Sequence, residues 1–425
     1  MNSPLHAPGF PEADVRDRAR HGRARAFPPL TGYGRLVFGA SGRAGGDPID
    51  AMRLVPPIFM PRRLEKLIDL GREPLYSDVE MDTEIGGFRS PLPVFVPAFG
   101  STQAARADLG LAVSRQAGAL GVPMVIGENI VPLIGYGRLG PEPPKSLLGR
   151  IRAYGDELAD GTGGVVVQQS TEDADAEVWN LVYSDPSARP FLESGRLAFE
   201  LKVGQGAKPG LGGMTVLPAS AAAAVSRHYA VDPAFGDADR LLRSSTPGTY
   251  TEEILRQQIH LMRNNYPRAR VWVKLHPGRD VRQAAEIAWE AGADAVTVDG
   301  AEGGTGWAPT AFLDHVGLPL ADCLAAIGRR PSCLLATGRV WEGSRAVKCL
   351  ALGARAVGLG RAALLAADED PVRGLRRLAD CLDFEMRLLI SALGKYRPRD
   401  LSLEDVGVAT PGRRGETRDG QPLRG

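Results

Sequence analysis

Several lysines follow short apolar runs in the middle of the chain and could bind an anion. Lys202 ends the run FELK, and Gln205 and Lys208 follow it in the segment VGQGAK. Lys274 ends the run VWVK, where an unpaired ammonium would be costly to bury, so it needs an anionic partner or a ligand. His276 follows shortly after, and both side chains point to the same face if the strand continues. These residues predict a basic pocket for a phosphate-bearing cofactor and a small acidic substrate.

Two glycine-bearing segments nearer the C-terminus could bind a phosphate group. The segment ATGRV contains Gly338 and Arg339, and GLGRAAL contains Gly358, Gly360 and Arg361. Glycine lets backbone N–H groups approach an anion closely, and the N-terminus of a following helix favours negative charge. The two segments together therefore predict a phosphate site.

Four further positions are candidates for contact with a ligand. Gly304 and Gly306, in AEGGTGWAP, would let the backbone lie against a flat molecule. Glu128, directly after the apolar run VPMVIG, could transfer protons or pair with a lysine. His315, in FLDHVGLP, is equally compatible with substrate contact and with helix capping or packing.

An alternation of short strands and amphipathic helices must position these residues. Apolar runs bounded by Gly or Pro predict eight strands, at 93–99, 122–127, 164–168, 199–203, 270–275, 293–298, 332–336 and 354–359. Helices are predicted at 103–120, 250–264, 281–291, 319–327 and 341–352. Eight strands alternating with helices favour an α/β fold of the (β/α)8 TIM-barrel type over an open doubly wound sheet. In such barrels the loops after the strands carry the active site, and the last two commonly bind phosphate.

The chain is predicted to contain four segments around this barrel. They are a weakly packed, flexible N-terminal extension at 1–35, a pre-barrel segment at 36–90, the barrel at 91–394, closed by an amphipathic helix at 372–394, and a C-terminal tail at 395–425. Neither end is expected to carry the chemistry. A long insertion after the fourth strand, at 204–249, would overhang the active site as a candidate lid.

Composition limits the classes of partner. Lys+Arg 51 against Asp+Glu 50 gives a net charge of +1, which argues against nucleic acid or an anionic membrane as a partner. The sequence has neither an apolar run of the roughly 18–20 residues that span a bilayer nor the apolar core of a signal peptide, so we expect a cytoplasmic protein. The cysteines, at 323, 333, 349 and 381, fit no metal or iron–sulfur spacing and predict reduced, mostly buried thiols.

Several of these motifs resemble the FMN-binding synthase domain of glutamate synthases. The matching segments are KVGQGAKPGLGG (202–213), VDGAEGGTGWAP (298–309), DHVGLPL (314–320), ATGRV (336–340) and GARAVGLGRAAL (353–364). They occur in order over roughly residues 90–365. The resemblance implies a (β/α)8 barrel with FMN and hydride transfer between flavin N5 and the Cα of a glutamate-like amino or imino acid.

The resemblance also assigns roles to the candidate residues. Beside the flavin would lie Ala98, Gly100 and Ser101, with Gln168 hydrogen-bonded to the ring and Lys274 at its N1 and O2 edge. A cation at that edge would raise the potential of the flavin. The phosphate would be held by Gly338, Gly358, Gly360 and Arg361. An oxo-acid or imino-acid substrate would face Lys202, Gln205 and Lys208, with proton transfer from Glu128, His276 or water.

Departures from the family pattern affect the expected partners. Leu211 replaces an acidic residue of the family, and IGENI stands where the family has TGEGG. The chain has no cysteine before 323, so the glutaminase nucleophile is missing. Just beyond strand eight, where the family has its iron–sulfur cysteines, the chain offers only Cys381. We therefore expect no iron–sulfur cluster, and we expect a separate amidotransferase or electron-donor subunit. Association of identical chains is left open.

Three other functions remain open on the sequence alone. The first is an FMN-dependent 2-hydroxy-acid oxidase or dehydrogenase, although its usual His-Gly-Gly-x-Arg stretch does not occur here. The second is a flavin-free phosphate-binding lyase or isomerase with Lys274 as a Schiff-base nucleophile. The third is a non-catalytic subunit that keeps the barrel as a scaffold.

Overall fold

Eight parallel strands form one sheet at the centre of the computed structural model. The structure describes residues 5–26, 47–98, 109–127, 147–159, 161–170, 178–204, 206, 215–226, 230–233, 239–244, 250–303 and 310–408. The strands are β1 (Val94–Phe95), β2 (Met124–Ile126), β3 (Val165–Ser170), β4 (Leu197–Lys202), β5 (Arg270–Leu275), β6 (Ala295–Asp299), β7 (Cys333–Thr337) and β8 (Ala356–Gly358). Each strand adjoins the next along the chain, β8 pairs with β1, and a parallel bridge from Val96 to Met124 joins β1 to β2. The predicted (β/α)8 barrel is confirmed.

Helices cover the outside of the sheet. They are α1 (Glu12–His21), α2 (Pro48–Ala51), α3 (Pro61–Leu70), α4 (Leu109–Leu120), α5 (Leu147–Gly155), α6 (Val178–Ser184), α7 (Arg189–Glu193), α8 (Ala222–Val225), α9 (Glu252–Asn265), α10 (Val281–Glu290), α11 (Thr310–His315), α12 (Leu320–Ile327), α13 (Gly343–Ala351), α14 (Arg361–Glu369) and α15 (Gly374–Ala392). The helices predicted at 250–264, 281–291, 319–327, 341–352 and 372–394 are α9, α10, α12, α13 and α15. Across the described segments, none of them combines the length and apolar character that a membrane span requires.

Side chains inside the barrel form an apolar layer below a polar layer. The apolar layer consists of Phe95, Val125, Val166, Ala198, Trp272, Ala295, Leu335 and Ala356, closed below by Ile85 and Phe88. Side chains two residues apart share a face of a strand. The next inward positions are therefore Pro97, Gly127, Gln168, Glu200, Lys274, Thr297, Thr337 and Gly358. The polar side chains thus lie at the carboxyl ends of the strands, where barrel enzymes have their active sites.

Trp272 joins the apolar layer to a hairpin formed by Thr83–Ile85 and Phe88–Ser90. Its indole N–H donates to the carbonyl of Gly86 over 3.1 Å, and its ring centroid lies 5.6 Å from that of Phe88. We expect Trp272→Phe to lower the free energy of unfolding by about 1–2 kcal/mol, since it removes a buried hydrogen bond and leaves a small void. Urea denaturation measures this loss.

The half-buried Trp289 on α10 is the matched control for that substitution. Its indole nitrogen has no hydrogen-bond partner among the described residues. Trp289→Phe should therefore cost less than Trp272→Phe. Equal losses from the two variants would argue against a closed, well-packed lower end of the barrel.

The N-terminal residues pack more tightly than the sequence predicts. Within the predicted flexible extension 1–35, residues 5–26 contain α1, whose Val15 and Ala19 are fully buried. The guanidinium of Arg16 pairs with Asp368 over 2.9 Å, and Arg18 pairs with Glu385 over 2.7 Å. The high arginine content, which suggests a solvated tail, instead supplies ion pairs to helices α14 and α15.

The residues after α15 also differ from the predicted tail at 395–425. Lys395 pairs with Asp405 over 2.6 Å, and both side chains are buried. The strand Val406–Val408 pairs antiparallel with Met52–Leu54. The partner strand lies far away in the sequence, so no local pattern reveals the pairing. Residues 409–425 lie outside the described residues.

The insertion predicted at 204–249 contains a small antiparallel sheet. Its strands are Thr215–Pro218, Ala230–Asp232 and Arg240–Ser244, with the last one in the middle. The predicted lid function of this insertion stays a prediction.

The cysteines agree with the predicted burial. Cys323, Cys349 and Cys381 are buried and Cys333 is half-buried, and all are free thiols. Burial raises the pKa of the Cys333 thiol to about 11. These groups are therefore poor nucleophiles at neutral pH.

Candidate active site at the barrel mouth

Lys274 lies in the polar layer and has the anionic partner that the sequence requires. Its side chain is 6% exposed, and Nζ lies 3.5 Å from Oδ2 of Asp299 at the end of β6. In the sheet, Lys274 is in register with Thr297 on one side and Lys202 on the other. An ammonium group is thus fixed in the barrel mouth.

Asp299 connects three parts of the mouth. It accepts a hydrogen bond from the hydroxyl of Thr337 on β7 over 2.7 Å. It also accepts one over 3.1 Å from the backbone N–H of Gly206, at the start of the insertion. The two oxygens of Asp299 thus link β5, β7 and the start of the insertion.

Glu200 is a second buried carboxylate in the same layer. The side-chain amide of Gln168 donates to Oε2, and the hydroxyl of Thr297 donates to Oε1 over 3.2 Å. Burial raises the pKa of Glu200, and the nearby ammonium of Lys274 acts in the opposite direction. Gln168, predicted to contact a flavin ring, is therefore oriented by a carboxylate.

The two other cationic candidates occupy different surroundings. Lys202 ends β4, half-buried, in register with Lys274 and Ser170. Strand β5 ends at Leu275, so the alternation that would place His276 beside Lys274 is interrupted. His276 instead packs against Gly204, and burial lowers the pKa of its imidazole. Its Nδ1 has no hydrogen-bond partner among the described residues.

The ends of β7 and β8, where the sequence predicts a phosphate site, lie side by side. Gly338 has φ 142°, a conformation that favours glycine. A Cβ atom on Gly358 would lie 2.5 Å from the side chain of Thr337, so a larger residue would clash. Gly360 directly precedes α14, whose first backbone N–H groups are available to an anion.

Arg361, the first residue of α14, is half-buried and makes no ion pair with a carboxylate among the described residues. It donates a hydrogen bond to the carbonyl of Glu302. Its guanidinium lies 4.5 Å from the ring centroid of Phe10, so the N-terminal segment reaches this end of the mouth. Burial lowers the pKa of Arg361 to about 10. A partly desolvated guanidinium that lacks an ion-pair partner is suited to bind an anion.

Arg339, predicted to help hold a phosphate, pairs with a carboxylate of α2. It adopts a left-handed φ of 56°, and its Nη1 pairs with Asp50 over 3.0 Å. The neighbouring Arg345 is fully buried, donates to the carbonyl of Gly338 over 3.0 Å, and pairs with Asp47 over 2.6 Å. The carboxylates of α2 and its N-cap thus balance both guanidiniums, which local sequence patterns do not indicate.

Two nitrogens in this cluster still lack a hydrogen-bond partner among the described residues. They are Nε of Arg339 and Nη2 of Arg345, which lies 3.8 Å from Glu302. Buried polar groups are normally hydrogen-bonded, so a bound acceptor near Gly338 would complete the bonding of these N–H groups. These atoms fit a bound anion.

Of the remaining candidates, two lie among the described residues and the others lie outside them. Ala98 is half-buried against the apolar layer, beside Gly127. His315 is exposed at the last residue of α11. Seven predicted site residues lie outside the described residues: Gly100, Ser101, Glu128, Gln205, Lys208, Gly304 and Gly306.

Three charged residues of the site were not predicted from the sequence: Glu200, Asp299 and Arg345. The first two carry the same signal as Lys274, a charged residue within or ending an apolar strand run. Strand alternation places Glu200 on the same face as Lys202. Arg345 has no such signal, because it lies on a helix and its partners Asp47 and Asp50 are distant in the sequence.

Comparison with known proteins identifies relatives of this chain. Residues 129–371 match the family described as the conserved region in glutamate synthase. The chain is 31% identical over 261 residues to an archaeal-type glutamate synthase [NADPH] of Dehalococcoides mccartyi, covering 56% of this chain and 51% of the relative. It is 32% identical over 243 residues to a glutamate synthase large subunit-like protein of Rhizobium meliloti, covering 54% and 53%. The chain spans about half the length of these curated relatives.

Solved structures resemble the fold. A soluble mutant of the membrane-associated (S)-mandelate dehydrogenase of Pseudomonas putida has a TM-score of 0.55 at 19% identity, covering 94% of this chain and 99% of that one. A flavocytochrome b2 mutant with pyruvate bound has a TM-score of 0.53 at 16% identity, covering 89% and 84%. At these identities, the likeness is one of fold.

Proposed function

Because the chain belongs to the glutamate synthase family defined by that conserved region, we propose that it is an FMN-dependent oxidoreductase acting on a glutamate-like amino or imino acid. One observation carries the proposal: Arg361 is half-buried and makes no ion pair with a carboxylate among the described residues, at the end of the mouth where β7 and β8 converge. The unpartnered nitrogens of Arg339 and Arg345 support it. Lys274 lies in the polar layer of the same mouth.

The described residues fit both ends of FMN. Backbone around Gly338, Gly358 and Gly360, together with Arg361, would hold the phosphate. Gln168 and Lys274 would contact the ring. When bound, FMN would exchange a hydride with the substrate Cα through its N5 atom.

The chain's own residues would bind and orient the substrate. Lys202 and Lys208 would hold its carboxylate by charge-assisted hydrogen bonds. Glu128, His276 or water would move the proton of the amino or imino nitrogen. The cation of Lys274 would favour electron density on the adjacent ring.

Partners belong to the same proposal. Ammonia or an amine, and electrons, would come from a separate amidotransferase or electron-donor subunit. We propose a cytoplasmic protein that needs no iron–sulfur cluster of its own. Names of the relatives, which include glutamate synthase [NADPH], support the choice of reaction class.

We expect the purified protein to be yellow, or to become yellow when FMN is added. Amino acids such as glutamate should bleach the flavin under anaerobic conditions, whereas lactate-like 2-hydroxy acids should not. The absorbance spectrum measures both. Bleaching by 2-hydroxy acids alone would favour a hydroxy-acid oxidase, and a colourless protein that cannot take up FMN would contradict the proposal.

A further inference from the structure

Glu200 is a buried carboxylate to which the proposed function assigns no role. Its side chain is 1% exposed in β4, on the inward face of the barrel. The described hydrogen bonds to it come from the amide of Gln168 and the hydroxyl of Thr297. Both groups are neutral, so neither brings the positive charge that would balance an ionised carboxylate.

Lys274 is close to Glu200 in the mouth, but Asp299 takes its ion pair. The distance from Nζ to Oδ2 of Asp299 is 3.5 Å. Asp299 also accepts hydrogen bonds from Thr337 and from the backbone of Gly206. One buried ammonium therefore lies near two buried carboxylates, and its ion pair is with Asp299.

The groups that face Glu200 come from its own strand and three others. Strand β3 contributes the neutral Gln168, β5 contributes Lys274, and β6 contributes Thr297 and Asp299. On β4 itself, Lys202 also acts on Glu200, but it is only half-buried and is assigned to the substrate. The charged groups with the largest effect on Glu200 are these two lysines.

A protonated Glu200 would fit these neighbours without rearrangement. The hydroxyl of Thr297 can accept a hydrogen bond as well as donate one, so it can receive the carboxyl proton on Oε1. The amide of Gln168 can continue to donate to Oε2. Burial, which raises the pKa of Glu200, favours the same neutral form.

We propose that Glu200 is protonated in the folded protein at neutral pH while FMN is oxidised or absent, and that it sets the pH dependence of the FMN reduction potential. This inference rests on the proposed function. Positive charge at the mouth favours reduction, so release of the Glu200 proton at higher pH lowers the potential. Glu200 acts through Gln168 and Lys274 and is a positioning residue.

The first test compares reduction potentials of the FMN-loaded protein across a range of pH. In the wild type, titration of Glu200 should contribute at most a tenfold change in the reduction equilibrium per pH unit. For a two-electron couple this is about 30 mV per pH unit. Glu200→Gln should lose this component. Thr297→Val, which keeps the carboxyl group, should retain it. Identical pH profiles for wild type and Glu200→Gln would overturn the proposal.

The second test needs no FMN. A raised pKa means that the folded state holds the Glu200 proton more tightly than the unfolded chain does. Wild-type stability should therefore fall as pH rises above the ordinary glutamate pKa, until the folded pKa is passed. Glu200→Gln should lack this loss, as measured by urea denaturation at several pH values.

The two tests separate failure of this inference from failure of the proposed function. Equal pH dependence of stability in both proteins would overturn the inference even if FMN binds. If the pH dependence of stability differs between wild type and Glu200→Gln but the protein does not take up FMN, the proposed function is contradicted. The redox role assigned to Glu200 then fails with it.

Discussion

Lys274→Met should lower the reduction potential of bound FMN more than any other single substitution in the mouth. A unit charge roughly 4 Å away is worth about 4 kcal/mol at an effective dielectric constant of ~20. For a two-electron couple this corresponds to roughly 90 mV. Spectroelectrochemical titration of the loaded protein measures the shift. Lys66→Met on α3, which removes a lysine paired with Glu80 at the surface, should leave the potential unchanged.

Loss of Lys274 also leaves Asp299 without its buried ion-pair partner. Removing one partner of a buried pair costs about 3–5 kcal/mol, so we expect the single variant to be strongly destabilised. The double variant Lys274→Met/Asp299→Asn removes both charges of the pair. It should fold better than the single variant and have a lower potential than Asp299→Asn alone. A potential equal to that of Asp299→Asn alone would contradict the position assigned to Lys274.

Arg361→Ala should weaken FMN binding by about 10-fold to 150-fold, because a hydrogen bond to a charged group is worth about 1.5–3 kcal/mol. Riboflavin, which lacks the phosphate, should bind wild type and variant alike. Quenching of flavin fluorescence measures both affinities. This comparison isolates the phosphate contact from any general damage to the pocket.

Arg376→Ala, on the exposed face of α15, is the matched control for Arg361. It should change neither affinity. If Arg361→Ala weakened riboflavin and FMN equally, the guanidinium would be supporting the fold of the mouth and would not contact the phosphate.

The barrel could be predicted from sequence because its signals are local. Each strand is a short apolar run bounded by Gly or Pro, and helices such as α9 and α10 repeat their apolar residues at helical spacing. Right-handed alternation of such elements leaves few topologies. The eight strands and the closing helix α15 could be predicted in this way.

The candidate site could be predicted only in part, for a physical reason. Lys274 and Gly358 stand at strand ends, where position in the fold follows from position in the strand. The partners of charged groups cannot be inferred in that way. Arg345 meets Asp47 and Arg361 meets Phe10 across more than half of the chain, and such pairs depend on packing of the outer helices.

The packed N-terminal helix shows the same limit. Arginines in residues 5–26 look like a solvated tail until the carboxylates of α14 and α15 are brought beside them. The charge pattern of one segment does not show whether its arginines face water or pair with carboxylates on another helix.

A crystal structure of the protein with FMN would test the central claim most directly. We expect the phosphate to contact backbone N–H groups near Gly358 and Gly360 and the guanidinium of Arg361. We expect the ring to lie beside Lys274 and Gln168 in the barrel mouth. FMN bound at another face, or a mouth in which the phosphate cannot reach Arg361 while the ring lies beside Lys274, would contradict it.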